Sequence, residues 1–261
     1  MSNNFFLTTA IFFFIFFSCK RVSTENFNSE DFDISITSDF DYLPTSSSNV
    51  VVHHDQYSLS YIESHEQAEW VAYSLDIHDL NKSANYDRPY FNQDKKVKSK
   101  SAHWRNFKNS GYNKGHLCPA ADRKANFEDY EATFLTSNAS PQLYEFNAGI
   151  WNRLEQKVRY WSARYDGLYV VTGGVLTDGL KTIGSENVAV PDFFYKIILT
   201  KDGKNMLGFL LPHKESDKPL YNYIVSVDSI ESITGIDFFP ELEDTIEDEL
   251  EKGNGYSNWR F

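Results

Sequence analysis

His116, Asn138, Asn147, Glu155 and Arg159 stand in that order between Ser110 and Arg159, and a set of these types is hard to explain by packing alone. A solitary histidine is usually structural. Here its company is suited to hydrolysis: a neutral imidazole can take a proton from water, and amide or carboxylate oxygens suit a hard cation. The run Tyr112-Asn113-Lys114-Gly115-His116-Leu117-Cys118-Pro119 places a positive charge beside the imidazole. Gly115 lets the backbone pass close to a neighbour or ligand, and Pro119 ends the extended run. Further on come Ser137-Asn138-Ala139-Ser140-Pro141-Gln142 and then Phe146-Asn147-Ala148-Gly149-Ile150-Trp151-Asn152-Arg153-Leu154-Glu155.

A helix must carry the last three of these polar residues. Phe146, Ile150, Leu154, Val158 and Trp161 recur at helical spacing, so Phe146 to Tyr165 is predicted as one amphipathic helix. At roughly 100° per residue, Asn147, Glu155 and Arg159 fall within an arc of about 120° that borders the apolar stripe. One helix can present all three to a common site. Glu155 and Arg159 are also four residues apart, and the plainer reading of that pair is a surface salt bridge contributing about 0.2–0.5 kcal/mol.

From Gly115-His116 through Arg159 the sequence resembles the DNA/RNA non-specific endonuclease family, the Serratia-nuclease-like and endonuclease-G-like enzymes. That family carries Asp-Arg-Gly-His, then Asn-x-x-Pro-Gln, then Asn-x-Gly-x-Trp-x-x-Leu-Glu with an arginine four residues later. One departure is visible: Asn113-Lys114 stands where the family has Asp-Arg. Lysine keeps the charge and loses the bidentate fork, so phosphate contact there is expected to be weaker or differently aimed. The likeness extends from about Ser58 to about Pro240.

The resemblance implies an α+β fold with a central antiparallel β-sheet flanked by helices and a ββα-metal active-site motif. It also implies roles. His116 would be the general base that deprotonates water, and Asn147 the direct protein ligand of a metal ion, Mg²⁺ with Mn²⁺ as the alternative. Glu155 would hold metal-bound water, and Arg159 would orient Glu155 or contact phosphate. Lys114 would neutralise the substrate, and Asn138 would position the histidine or the phosphate. The implied partners are DNA and RNA, cleaved at phosphodiester bonds without sequence or sugar specificity. A histidine base of this kind loses activity as pH falls below its pKa, with an ordinary reference near about 6.5.

Upstream, Arg88-Pro89-Tyr90-Phe91-Asn92-Gln93-Asp94 resembles the family's Arg-x-x-Phe-x-x-Asp segment, which implies that Arg88 is a phosphate ligand. Lys95, Lys96, Lys98 and Lys100 follow it. Overall the chain carries a formal charge of -12, which repels a polyanion at long range. The distribution is uneven. Arg88 to Arg164 holds 14 basic against 7 acidic residues, a net of +7, and the rest of the chain therefore carries -19. The stretch that bears the chemistry is basic inside an acidic protein.

Val50-Val51-Val52, Tyr57 to Tyr61, Trp70 to Leu75, Leu168 to Gly174, Pro191 to Leu199 and Met206 to Leu211 read as strands, with Lys201 to Lys204 as a turn. Asp228 to Ile233 reads as a short helix capped by Ser229 or Asp228. His53 and His54 read as surface histidines. Walker loops, dinucleotide fingerprints, Gly-x-Ser-x-Gly elbows and internal repeats are absent from the sequence.

The N-terminus differs in kind. Phe5 to Phe17 is an apolar run of 13 residues, the length of a signal h-region, and ends in Ser18-Cys19, which resembles a bacterial lipobox. The expected organisation is a signal peptide with lipobox over 1–19, a disordered acidic tether over 20–49, and a single endonuclease domain over 50–261. Such a protein is exported, to the periplasm or the outer membrane as a lipoprotein or as a secreted form. The n-region lacks Lys and Arg, and Lys20-Arg21 follow the run instead. Only Cys19 and Cys118 are present, so no disulfide framework is expected. His116 and Cys118 lack two further ligands at zinc spacing, and Cys118 reads as a small buried hydrophobe. Two other functions stay open on sequence: a surface lipoprotein that kept the fold for binding, and a phosphodiesterase of small nucleotides.

Overall fold

The computed structural model describes residues 40–81, 84–253 and 256–261. The apolar run at Phe5 to Phe17 and Cys19 lie outside the described residues. Among the described residues no helix is long and apolar enough to cross a membrane.

The β-branched and aromatic runs form the strands. The first three are β1 (Val51–His53), β2 (Ser58–Ile62) and β3 (Gln67–Leu75), followed by helix α1 (Ile77–Asn81). The central part holds β4 (Asn113–His116), α2 (Phe127–Ala132), β5 (Ala139–Gln142), α3 (Tyr144–Phe146) and α4 (Asn152–Arg164). After these come β6 (Leu168–Gly174), β7 (Thr182–Ile183), β8 (Val188–Ala189), β9 (Phe193–Thr200), β10 (Met206–Pro212), β11 (Ile224–Val225), α5 (Val227–Thr234) and α6 (Asp244–Lys252). Seven strands make one sheet in the order β1-β2-β3-β6-β9-β10-β11, and every neighbouring pair is antiparallel.

Alternation along these strands divides the core into two layers. Val71, Tyr73 and Leu75 of β3, with Phe194 and Ile198 of β9, face a layer containing Phe146, Trp151, Leu154, Val158 and Trp161. Trp70 and Ala72, with Tyr195, Ile197 and Leu199, face the other side, where Val227 and Ile230 of α5 pack. The sheet is therefore covered on both faces, with α4 on one and α5 on the other. This is the α+β arrangement of an antiparallel sheet flanked by helices. The apolar stripe expected between Phe146 and Trp161 is buried throughout.

Four local expectations are corrected. The helix over Phe146 to Tyr165 is interrupted: Asn147–Trp151 forms a π-helical turn, with Gly149 at φ -94° and ψ -110° and the Asn152 N–H donating to the Asn147 carbonyl. The cap of α5 is Ser226, whose hydroxyl accepts from the Ser229 N–H at 3.2 Å, so Asp228 and Ser229 lie inside the first turn.

His54 is no surface residue; its side chain is 7% exposed and bonds Asp94 at 2.8 Å. The ordered domain also starts no later than Phe40, well before residue 50. Tyr42 stacks on Tyr169 at 4.7 Å, Trp70 donates its indole N–H to the Thr45 carbonyl at 2.9 Å, and Ser47 bonds Glu69 through both its backbone N–H and its hydroxyl. Serine and threonine look like tether residues in composition, but here they bond side chains of β2 and β3.

Candidate active site

A separate two-stranded hairpin carries His116. β4 and β5 pair antiparallel, with Lys114 opposite Pro141, Gly115 opposite Ser140 and His116 opposite Ala139. The hairpin followed by α3, the π-turn and α4 is a ββα unit. Gly115 is required by close packing, because a β-carbon there would lie 2.0 Å from the Gln142 side-chain oxygen.

Asn138 locks the end of the hairpin. It is wholly buried; its Oδ1 accepts from the Cys118 N–H at 2.8 Å, and its Nδ2 donates to the carbonyls of Cys118 at 2.9 Å and Thr133 at 3.0 Å. Every hydrogen of the amide is taken by backbone. Contact with a phosphate is thereby corrected, and what remains is a positioning residue that fixes the chain two residues beyond His116. Asn138→Ala leaves three buried backbone groups unpaired, at about 1–3 kcal/mol for each such group. Thermal or urea denaturation is expected to show a loss of at least about 2 kcal/mol; an unchanged midpoint would rule the clamp out.

His116 is half-buried between two aromatic rings, with Phe91 at 5.1 Å and Phe134 edge-on at 4.9 Å. Its Nε2 has no hydrogen-bond partner among the described residues. Burial, reinforced by the nearby Arg88 charge, pushes the imidazole pKa down to about 3, so the ring is neutral across ordinary pH. The same rings gather the two cations. Arg88 is exposed and lies 5.5 Å over Phe134, while Lys114 Nζ lies 5.4 Å over Phe91 and 5.6 Å over Phe107. Burial and the Arg88 charge lower the Lys114 pKa. Arg88, Lys114 and His116 are thus brought together, although 26 and 28 positions separate the arginine from the other two.

Asp94 ties this cluster to the hairpin. Its carboxylate accepts from Ser137 at 2.7 Å and from the Lys96 N–H at 2.9 Å, and it pairs with His54. Burial opposes its charge, but these bonds outweigh burial and hold its pKa below the usual carboxylate value. The Arg88–Asp94 segment is in this way fastened to the residue that precedes Asn138.

Glu155 and Arg159 lie further along α4 but do not pair with each other. Arg159 Nη1 bonds Asp122 Oδ1 at 2.7 Å, and Tyr73 donates to Asp122 Oδ2 at 3.2 Å. The surface salt bridge between Glu155 and Arg159 is therefore replaced by a bond from Arg159 to a carboxylate only 1% exposed. Burial, with Asp122 adding to it against Lys196 and Arg159, raises Glu155 to about 7. Lys196 of β9 is fully buried, its Nζ has no hydrogen-bond partner among the described residues, and it sits 4.8 Å from the Trp151 ring. Burial lowers its pKa to about 8, while Glu155 and Asp122 pull it upward. Asp122 and Lys196 were not among the residues that the sequence pattern singles out. For Lys196 one signal exists: it is the lone charge inside the apolar run Phe193 to Leu199.

Asn147 opens the π-turn half-buried, and its N–H donates to the Leu143 carbonyl at 2.9 Å, one turn beyond β5. In a continuous helix, eight positions would separate Asn147 from Glu155 by about 80° around the axis. Gly149 kinks the chain inside this turn, so the helical count does not carry unbroken from Asn147 to Glu155. Cys118 is free and buried in the main core, where burial raises its thiol to about 12 and it packs as a small hydrophobe.

Residues 41–245 match the family described as DNA/RNA non-specific endonuclease. The chain belongs to this family. Among relatives of the endonuclease family, the mitochondrial nuclease EXOG of Danio rerio is 35% identical over 203 residues, covering 71% of this chain and 59% of its own. A nuclease of Nostoc sp. is 33% identical over 222 residues, covering 78% of each chain. A chain from the crystal structure of the EndoG/EndoGI complex superimposes with a TM-score of 0.69 at 30% identity, covering 74% of this chain and 87% of that one. The present chain spans about three fifths of the length of the EXOG relatives it matches.

Proposed function

We propose that this protein is a metal-dependent endonuclease that hydrolyses phosphodiester bonds of DNA and RNA without sequence or sugar specificity. The observation that supports the reading is His116: a neutral imidazole whose buried Nε2 finds no partner among the described residues, set beside Arg88 and Lys114. Water or a phosphate oxygen is the partner such a nitrogen calls for.

The donor set fits a hard cation, with Mg²⁺ favoured and Mn²⁺ the alternative. Asn147 supplies an amide oxygen and Glu155 a carboxylate. Arg159 is committed to Asp122, so the Glu155 charge lacks the arginine partner that its spacing suggests. Asn147 would hold the ion directly and Glu155 through water. When bound, such an ion polarises the phosphate and neutralises charge developing on the departing oxygen.

The chain's own groups do the rest. His116 Nε2 takes the proton from the attacking water as the new oxygen–phosphorus bond forms and the bond to the 3′ oxygen breaks. Arg88 and Lys114 offset the added negative charge on the phosphoryl oxygens. Arg159 holds Asp122 and thereby fixes the 120–123 turn beside Glu155, and Asn138 fixes the backbone after His116.

Supercoiled plasmid, RNA and a small phosphodiester such as bis(p-nitrophenyl) phosphate, each with Mg²⁺ and with EDTA, test this. Both polymers should be cut in Mg²⁺ and spared in EDTA. Cleavage of the small ester alone would point to a nucleotide phosphodiesterase, and no cleavage at all to a binding protein.

We also propose that the chain is exported and anchored through Cys19, a reading supported by the 13-residue apolar run ending at Ser18-Cys19. Mass spectrometry of the mature N-terminus should find an acylated Cys19. An intact Met1 would overturn it.

A further inference from the structure

Asp228, Glu231 and Glu251 offer three carboxylate oxygens that all lie within 4.8 Å of one another. Asp228 and Glu231 are one turn apart on α5, and Glu251 stands at the end of α6. The convergence follows from packing: Val227 and Ile230 of α5 and Leu250 of α6 seat on the same sheet face, opposite α4. Their polar neighbours are left facing each other.

Like charges so close need a counter-charge, and the described residues supply none. Glu251 is 5% exposed, and its buried Oε1 has no hydrogen-bond donor; Oε1 of Glu247, one turn earlier on α6, is in the same position. Burying a carboxylate without a partner is costly. Glu231 shares a side-chain hydrogen bond with Glu251 and accepts from the Phe238 N–H at 2.8 Å, and Lys252 is bound to Asp248 at 2.8 Å, so no cation among the described residues answers the pair. Burial, with Glu231, Glu247, Asp228 and Asp237 around it, raises Glu251 to about 9.

We propose that Asp228, Glu231 and Glu251 bind a divalent cation of the calcium type, at a site separate from His116 and on the other face of the sheet. The donor set is oxygen only. Ca²⁺ takes six to eight oxygens at about 2.3–2.6 Å, so ligands on opposite sides of one ion stand about 4.6–5.2 Å apart. Asp228 is exposed, which leaves room for the waters that complete the shell. The ion would offset the mutual repulsion and tie the end of α6 to α5, stabilising the native state by mass action.

Calorimetric titration of Ca²⁺ into the EDTA-stripped full chain tests the site, together with melting temperatures in Ca²⁺ and in EDTA. The parent should bind Ca²⁺ and melt higher in it. Glu251→Gln should weaken binding at least tenfold and lose the thermal gain, while Asn147→Ala keeps both. Asp228→Asn, at an exposed position, gives the same test should Glu251→Gln fail to fold. Nuclease rates of the Glu251 and Asp228 variants in Mg²⁺ should match the parent, so the result stands apart from the proposed nuclease reading. No Ca²⁺ binding would overturn the site, as would binding that neither carboxylate variant weakens or that Asn147→Ala removes. A melting temperature that falls with rising pH and ignores Ca²⁺ would likewise overturn it, showing that the carboxyls hold protons instead.

Discussion

Replacing Asn147 with alanine is expected to lower cation-dependent cleavage of DNA and RNA by at least about a hundredfold, the scale on which loss of a group stabilising transition-state charge is felt. The fold should persist. Asn147 is half-buried, and the bonds that hold the π-turn are made by its backbone, through its N–H to Leu143 and its carbonyl to the Asn152 N–H. Alanine keeps both. The loss should therefore appear in kcat and in Mg²⁺ affinity, with the melting temperature near that of the parent. Asn147→Asp retains an oxygen ligand and adds a charge, and should bind Mg²⁺ where alanine does not. Unchanged rates and unchanged metal dependence in the alanine variant would remove Asn147 from the site.

Much of the fold was legible in advance because its signals are local. Apart from their glycines, the runs Leu168 to Gly174 and Met206 to Leu211 are β-branched, aromatic or otherwise apolar, and both became largely buried strands. The stripe from Phe146 to Trp161 gave the buried face of the helix correctly. Its continuity was not legible, since Gly149 is tolerated inside a helix, and only the packing of Ile150 and Trp151 against the sheet shows the extra residue in the turn. The partner of Arg159 was hidden for a different reason. Spacing names Glu155, four residues away, whereas Asp122 is 37 positions distant and reaches the arginine only after the 120–123 turn folds onto Tyr73. Asn138 shows the same limit: its residue type fits a phosphate contact as well as a backbone clamp, and burial decides between them.

The pH dependence expected for a histidine base also changes. An ordinary imidazole loses its basic form near about 6.5. His116 is pushed down to about 3 by burial and by Arg88. At saturating Mg²⁺ its protonation should not limit kcat/KM as pH falls through the usual imidazole range, and the limb due to His116 should lie well below it. A limb at the ordinary value that vanishes in a His116 variant would show that the ring is more solvated than its contacts with Phe91 and Phe134 indicate.

The general-base role of His116 is the central claim, and the kcat of His116→Asn on plasmid DNA and on RNA tests it most directly. A positioned base contributes about 10²–10⁴-fold, whereas a structural histidine acts on rate only through folding. The account predicts a kcat at least about a hundredfold below the parent on both substrates, with an undiminished melting temperature and retained binding of nucleic acid. A variant that turns over either polymer at near the parental kcat would contradict it.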